Sequence, residues 1–265
     1  MGKNILIERE DGEIIMADYL HAEKSRKEKN SPLVIMVHGF PKLQKENDIF
    51  RILVKTVHDL GLSCLQFDLT KSVNVKAEED KFTLKSAKQD IETILAWAEN
   101  NNYTKVAFIA EGLGAPITFM SLPENAVFTI LFWPAFDLKY VRDEQFNIKA
   151  HKKALEENGF FNLNGALIGN DLLDELQDTD ITPYLKEAHT PTLALHGMKD
   201  EVIPIAHLDI ARKDLIVPRL MITSFDDGKH GLTQPNHRKT IVQQIIEFID
   251  KYKDFAPESE DEISV

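Results

Sequence analysis

The run Leu33-Val34-Ile35-Met36-Val37 contains no polar side chain. A strand with one wet face alternates apolar and polar residues, whereas a strand buried on both faces of a parallel sheet reads as an unbroken apolar, β-branched run. This stretch therefore requires covering layers above and below it, and the rest of the chain offers them. Ile5–Arg9 and Ile14–His21, split by Asp11-Gly12, read as a β-hairpin. Glu23–Asn30 is a charged loop. Helical periodicity runs from Asp48 to Leu60 and stops at Gly61. Ser63–Asp68 is a strand, and Thr83–Asn100 is a long amphipathic helix with Ile91, Ile94, Leu95, Trp97 and Ala98 on its apolar face. The alternation continues with Lys105–Ala110 (strand), Gly114–Ser121 (helix), Ala126–Trp133 (strand), strands at Thr192–His196 and Arg219–Phe225, and a closing helix at Thr240–Tyr252. Such an order predicts an α/β fold built on a doubly wound, mostly parallel sheet.

The section from Pro134 to His189 breaks the pattern. It is too long for a simple strand-to-helix loop, and helical patterns at Glu144–Glu157 and Asp171–Leu176 mark it as an inserted helical cap. The expected organisation is a core of residues 1–133 and 190–256, a cap of 134–189, and an acidic, disordered tail at 257–265. The 265 residues suffice for a substantial core. A net charge of −12 argues against a nucleic-acid or anionic-membrane partner, which would call for a basic patch. Cys64 is the only cysteine, so an internal disulfide and a Cys-based zinc site are both excluded. The N-terminus has no signal-peptide pattern, Leu6 stands where a myristoylation motif wants Ser or Thr, and Val127–Phe136 is too short to span a bilayer. A soluble cytoplasmic protein without metal or cofactor is expected; oligomeric state is left open.

In an open α/β sheet, chemistry belongs at the carboxyl ends of the strands. His38-Gly39-Phe40-Pro41 follows the first buried strand, and Glu111-Gly112-Leu113-Gly114 follows Lys105–Ala110. Gly197-Met198-Lys199-Asp200 follows Thr192–His196, and Asp226-Asp227-Gly228-Lys229-His230 follows Arg219–Phe225. Each is weak alone. A lone loop histidine is more often a surface or hydrogen-bonding residue than a catalyst, and an Asp beside Gly is usually a turn former.

Together, in this order and at these strand ends, they resemble the α/β-hydrolase family. The likeness runs from about Ile5 to Tyr252 and is strongest toward small capped esterases of the feruloyl, cinnamoyl and monoacylglycerol-lipase kinds. It implies that His38-Gly39-Phe40 is the oxyanion loop, with the Phe40 N–H aimed at the developing oxyanion and the Leu113 N–H as its companion. It implies that Asp200 orients a basic His230, and the family order of nucleophile, acid and histidine is met by positions 112, 200 and 230. His38, Gly39, Trp133 and Phe136 are then candidates for a pocket that takes a small ester or acyl ligand, although aromatic residues here are more simply core. His38, His196 and His230 fall on different loops without metal-ligand spacing.

Register decides which residue stands at the nucleophile position. The elbow turn of this family is so tight that the residues two before and two after its centre must be small. Centring on Gly112 puts Ala110 and Gly114 there; centring on Glu111 would put Ile109 and Leu113 there, and both are too large. Glu111 is thus not a displaced carboxylate nucleophile, and the serine of G-x-S-x-G is replaced by Gly112. A dinucleotide loop fails on the missing third glycine, since Ile117 occupies its place, and no Walker sequence follows. A plain strand-to-helix turn needing positive φ fits the same residues. Three functions survive: a serine esterase scaffold whose nucleophile was replaced, in evolution or by design; a non-catalytic binder or sensor; and an enzyme in which His230 and Asp200 act as general base without serine.

Overall fold

The computed structural model describes residues 2–23, 31–39, 48–72, 82–163, 166–215 and 220–255. The expected charged loop and acidic tail therefore fall largely or wholly outside the described residues, as do Phe40 and Pro41. Strand β3 (Leu33–Val37) is 0% exposed at every residue. It pairs in parallel with β4 (Cys64–Ser72) on one edge and with β5 (Val106–Glu111) on the other. Burial of each such side chain contributes roughly 1.5–3 kcal/mol, which is why no polar residue interrupts the run.

Among the described residues the sheet has eight strands. A hairpin of β1 (Lys3–Glu8) and β2 (Ile14–Leu20) leads into β4, both pairings being antiparallel. From β4 the sheet is parallel through β3, β5, β6 (Ala126–Phe132), β9 (Thr192–Gly197) and β10 (Leu220–Phe225). The chain steps from β3 outward to β4 through α1 (Asp48–Asp59), then returns over β3 to β5 through α2 (Leu84–Asn100). Right-handed crossovers in opposite directions place these two helices on opposite faces. Helix α3 (Gly114–Met120), which links β5 to β6, packs against α2. The last helix, α9 (Pro235–Tyr252), packs against α1. The direction reverses between β3 and β5, so the crevice at their carboxyl ends is the place where such sheets bind ligands.

Between β6 and β9 the chain leaves the sheet. It forms a short α4 (Leu138–Tyr140) running into a π-helical turn (Val141–Gln145), then α5 (Ile148–Asn158). A two-stranded hairpin of β7 (Phe160–Leu163) and β8 (Ala166–Gly169) follows, then α6 (Asn170–Asp178) and α7 (Thr182–Glu187). The helix expected from Glu144 is interrupted: Asn147 has φ 48°, and regular helix begins only at Ile148. The hairpin was not expected in a helical insert. Glu175 of α6 ties the insert to the core, its carboxylate accepting the free N–H groups of Leu84 and Lys85 at the start of α2. A further helix, α8 (His207–Asp214), separates β9 from β10.

Candidate active site

The turn after β5 is built from its two glycines for different reasons. A Cβ added to Gly114 would lie 2.7 Å from the carbonyl oxygens of both Val37 and His38, so packing against the end of β3 forbids any side chain there. A Cβ added to Gly112 would meet Gly39 Cα and Ile203 Cδ1 at 3.6 Å, which is ordinary contact. What favours glycine at 112 is its φ of 51°. Non-glycine residues adopt this left-handed region at a cost of order 1 kcal/mol or more. The central position of the turn is therefore conformationally restricted but sterically open.

The loop after β3 lies against this turn. The Gly39 N–H donates to the buried Glu111 carboxylate at 3.1 Å. His38 is buried, with Nδ1 donating to its neighbour Gly39 C=O at 3.1 Å and Nε2 accepting the Leu69 N–H at 3.1 Å. A ring that accepts from a backbone amide at Nε2 carries its proton on Nδ1. His38 thus spends both nitrogens on holding strand ends together. Phe40 lies outside the described residues. Leu113, the other expected oxyanion donor, is buried at the elbow, and its N–H donates to no group among the described residues.

On the other side of the crevice, β9 and β10 end in loops that touch at a pair of glycines. A Cβ on Gly197 would sit 2.3 Å from the Gly228 carbonyl oxygen, and one on Gly228 would sit 2.9 Å from Gly197 Cα. The contact is locked by Lys199 N–H to Gly228 C=O at 2.8 Å and Met198 N–H to Phe225 C=O at 2.9 Å. This close crossing brings the two loops into register. His230 Nδ1 donates to Asp200 Oδ2 at 2.9 Å, while Oδ1 accepts the N–H groups of Val202 and Ile203, each at 2.9 Å. Burial pushes the Asp200 carboxyl up, but the His230 hydrogen bond and charge, with those two amides, outweigh it and hold the group below the usual carboxylate range. The His230 side chain is 24% exposed, and Nε2 has no partner among the described residues.

Two more histidines lie behind this pair, and sequence reasoning assigned them no role. His196, at the end of β9, is 0% exposed and donates from Nε2 to the Ile203 carbonyl at 2.8 Å. Ile203 in turn donates to Asp200, so His196 braces the loop that carries the acid. His207 is buried at the start of α8 and accepts the Asp137 N–H on Nδ1 at 3.2 Å. Burial is the largest influence on both rings. It lowers the His196 pKa and pushes His207 down to about 4, despite nearby Asp200 and, for His207, Asp137. His196 Nδ1 and His207 Nε2 are buried without a hydrogen-bond partner among the described residues.

Other acidic side chains on the loops and in the insert are engaged elsewhere. Asp227 pairs with His237 at 2.8 Å, Asp137 caps α4 through the Tyr140 N–H at 2.9 Å, and Asp143 pairs with Arg142. The Cys64 thiol is buried and pushed up to about 12 by desolvation, so it is no nucleophile. Phe136 is 1% exposed and packs edge-on against Phe119 of α3, centroids 5.8 Å apart. Trp133 is 4% exposed, takes φ 34°, and leans on the His230 ring. No group of three or more metal-binding side chains occurs among the described residues, and no described helix is long and apolar enough to cross a membrane. A groove of about 720 Å³ between β1 and α2, lined partly by Arg9, Gln89 and Trp97, shares no residue with this site.

The strand order and flanking helices are those of the α/β-hydrolase superfamily. The fold is similar to that of Est1E from Butyrivibrio proteoclasticus, with a TM-score of 0.75 and 16% identity over 94% of this chain and 98% of that one. Alpha/beta hydrolase domain-containing protein 10 from mouse gives 0.72 and 16%, covering 94% and 99%. The Pyrococcus furiosus esterase Pf2001 gives 0.70 and 13%, covering 96% and 92%. At the sequence level, 81 residues are 31% identical to the non-heme chloroperoxidase CPO-A1 of Kitasatospora aureofaciens, a match spanning 30% of this chain and 29% of that protein's length. The model of the acyl transferase family matches residues 4–146, more than half of the chain. The chain belongs to the acyl transferase family.

Proposed function

We propose that this chain is an α/β-hydrolase of the serine carboxylester (acyl) hydrolase type that takes a small ester or acyl ligand but forms no acyl-enzyme, because Gly112 stands at the nucleophile position. The observation that carries the reading is the Asp200–His230 hydrogen bond of 2.9 Å, in a chain whose turn after β5 is sterically open at Gly112 and offers no Oγ. Acyl transfer by this route needs a hydroxyl activated by the imidazole, with a carboxylate fixing its tautomer. Here the carboxylate and the imidazole have their roles and the hydroxyl is missing. In this reading the amides of Leu113 and Phe40 form the oxyanion hole, and His38 and Gly39 shape the loop around it. Trp133, beside the base, and Phe136, against Phe119 of α3, belong to the wall of the ligand pocket, and residues 134–189 cap the crevice. The acyl class of ligand is supported by the family and by the esterases that share the fold.

A second reading draws on the unpartnered Nε2 of His230. The same pair can act as general base on a water above Gly112, or on an acidic proton of the ligand, with no covalent intermediate. Ester turnover separates the readings. Under the first, the unmodified chain hydrolyses p-nitrophenyl esters poorly, and Gly112→Ser raises the rate by orders of magnitude. Under the second, the unmodified chain is already active and His230→Ala abolishes that activity. Failure of a folded Gly112→Ser variant, with no activity before or after, would leave a non-catalytic binder.

A further inference from the structure

The backbone of Gly112 is bonded twice to one short segment. Its N–H donates to the Phe132 carbonyl at 3.0 Å, and its carbonyl accepts the Ala135 N–H at 3.0 Å. Trp133 and Pro134 lie between these anchors, and the Trp133 N–H is itself fixed on the Leu195 carbonyl of β9 at 2.9 Å. Within this bracket Trp133 adopts φ 34°, a region that bulky residues avoid. The result is a direction for the indole. It leans on the His230 imidazole, centroids 5.2 Å apart and planes at 54°, with the Phe132 ring 5.5 Å away on edge.

Filling the core does not require this. Phe136, three residues on, is equally buried and has no positive φ. Trp133 also exposes only 4% of its surface, so a ligand would meet little of it. A hydrogen bond to Nδ1 alone lets an imidazole swing about that bond, and a second ring packed beside it at 5.2 Å limits the swing. Resting on the reading of His230 as the base, we propose that Trp133 is a positioning residue: Asp200 holds one ring nitrogen, the tilted indole blocks the swing of the ring, and the double anchor to Gly112 keeps base and turn at one spacing.

The test reads His230 directly in the full-length chain, by imidazole ¹H–¹⁵N NMR. The unmodified protein should show His230 as a single Nδ1–H tautomer with a protected, downfield proton. Trp133→Ala should speed exchange of that proton by about tenfold, the scale of one aromatic contact, and Trp133→Phe should restore most of the protection. An unchanged His230 signal in folded Trp133→Ala overturns the proposal. If Trp133→Ala does not fold, Trp97→Phe leaves Trp133 as the only indole. Its emission should then change in yield and wavelength when His230→Gln removes the neighbouring ring. Identical emission with and without His230→Gln overturns the proposal as well. Neither measurement needs a nucleophile, so an inert Gly112→Ser variant would count against the acyl chemistry and not against the role of Trp133.

Discussion

The two sides of the crevice are built in the same way and display different things. At the ends of β9 and β10, glycines with no room for a Cβ hold the loops together, and the polar groups they align, Asp200 and His230, are paired. At the ends of β3 and β5, Gly114 performs the same packing duty, yet the residue it serves to display is Gly112, which has no side chain. Packing and display are thus separable. Close packing at Gly114 maintains the turn without help from a side chain at 112, so under the proposed function the turn does not depend on a serine there. A glycine at a left-handed position also removes backbone strain, so its presence favours the fold.

The sharpest way to break this comparison is to fill the packing glycines. Gly197→Ala would set a methyl 2.3 Å from the Gly228 carbonyl, and Gly114→Ala would set one 2.7 Å from two carbonyls, all of them backbone atoms that cannot swing aside. Each should cost about 3 kcal/mol or more. In thermal unfolding that corresponds to a fall in Tm of roughly 6–12 °C. If either variant melts like the parent, the account of how the loops are held is wrong.

Acid stability probes the layer behind Asp200. The folded state disfavours protonation of His207, whose pKa is pushed from 6.5 to about 4 by burial, whereas the unfolded chain takes up that proton below about pH 6.5. The unfolded state therefore binds more protons in this window, so the contribution is complete above pH 6.5 and drains away as the pH falls toward 4, by roughly 3 kcal/mol in all. His196 acts in the same direction. Asp200, whose pKa is lowered from 3.8, loses its contribution only at still lower pH. Urea unfolding from pH 7 to pH 4 should show this slope, and His207→Gln, which keeps an acceptor for the Asp137 N–H, should flatten it. An equal slope in the variant would place the acid sensitivity elsewhere.

The smallest effect belongs to the display position. Gly112→Ala finds ordinary contacts and bears only the cost of φ 51°, about 1 kcal/mol, so Tm should fall by roughly 2–4 °C. A loss as large as that of Gly114→Ala would show that position 112 is also fixed by packing.

The sheet was legible in the sequence because β3, β5, β6 and β9 are buried on both faces and carry long apolar runs. The need for a small residue at 114 was legible for a steric reason, and it has a direct counterpart in the 2.7 Å contacts there. Helix α8 was not read because two of its four buried positions are His207 and Asp214, which break the apolar stripe. The hairpin β7–β8 is only four residues a side, too short for a period to register. His196 and His207 look like any other histidines in the sequence. Their roles depend on which carbonyl and which amide the fold sets beside them, Ile203 and Asp137, and no spacing encodes that.

The proposed function turns on whether His230 and Asp200 can act as base and acid for a nucleophile placed at position 112. Intact-mass measurement after exposure to a fluorophosphonate probe tests it most directly, on the unmodified chain, on Gly112→Ser, and on Gly112→Ser with His230→Ala. The account predicts no adduct on the unmodified chain and a single adduct on Gly112→Ser, mapped to position 112. It further predicts that removing His230 slows that labelling by roughly 10²–10⁴-fold. A stoichiometric adduct on the unmodified chain, or a folded Gly112→Ser variant that stays unlabelled, would contradict it.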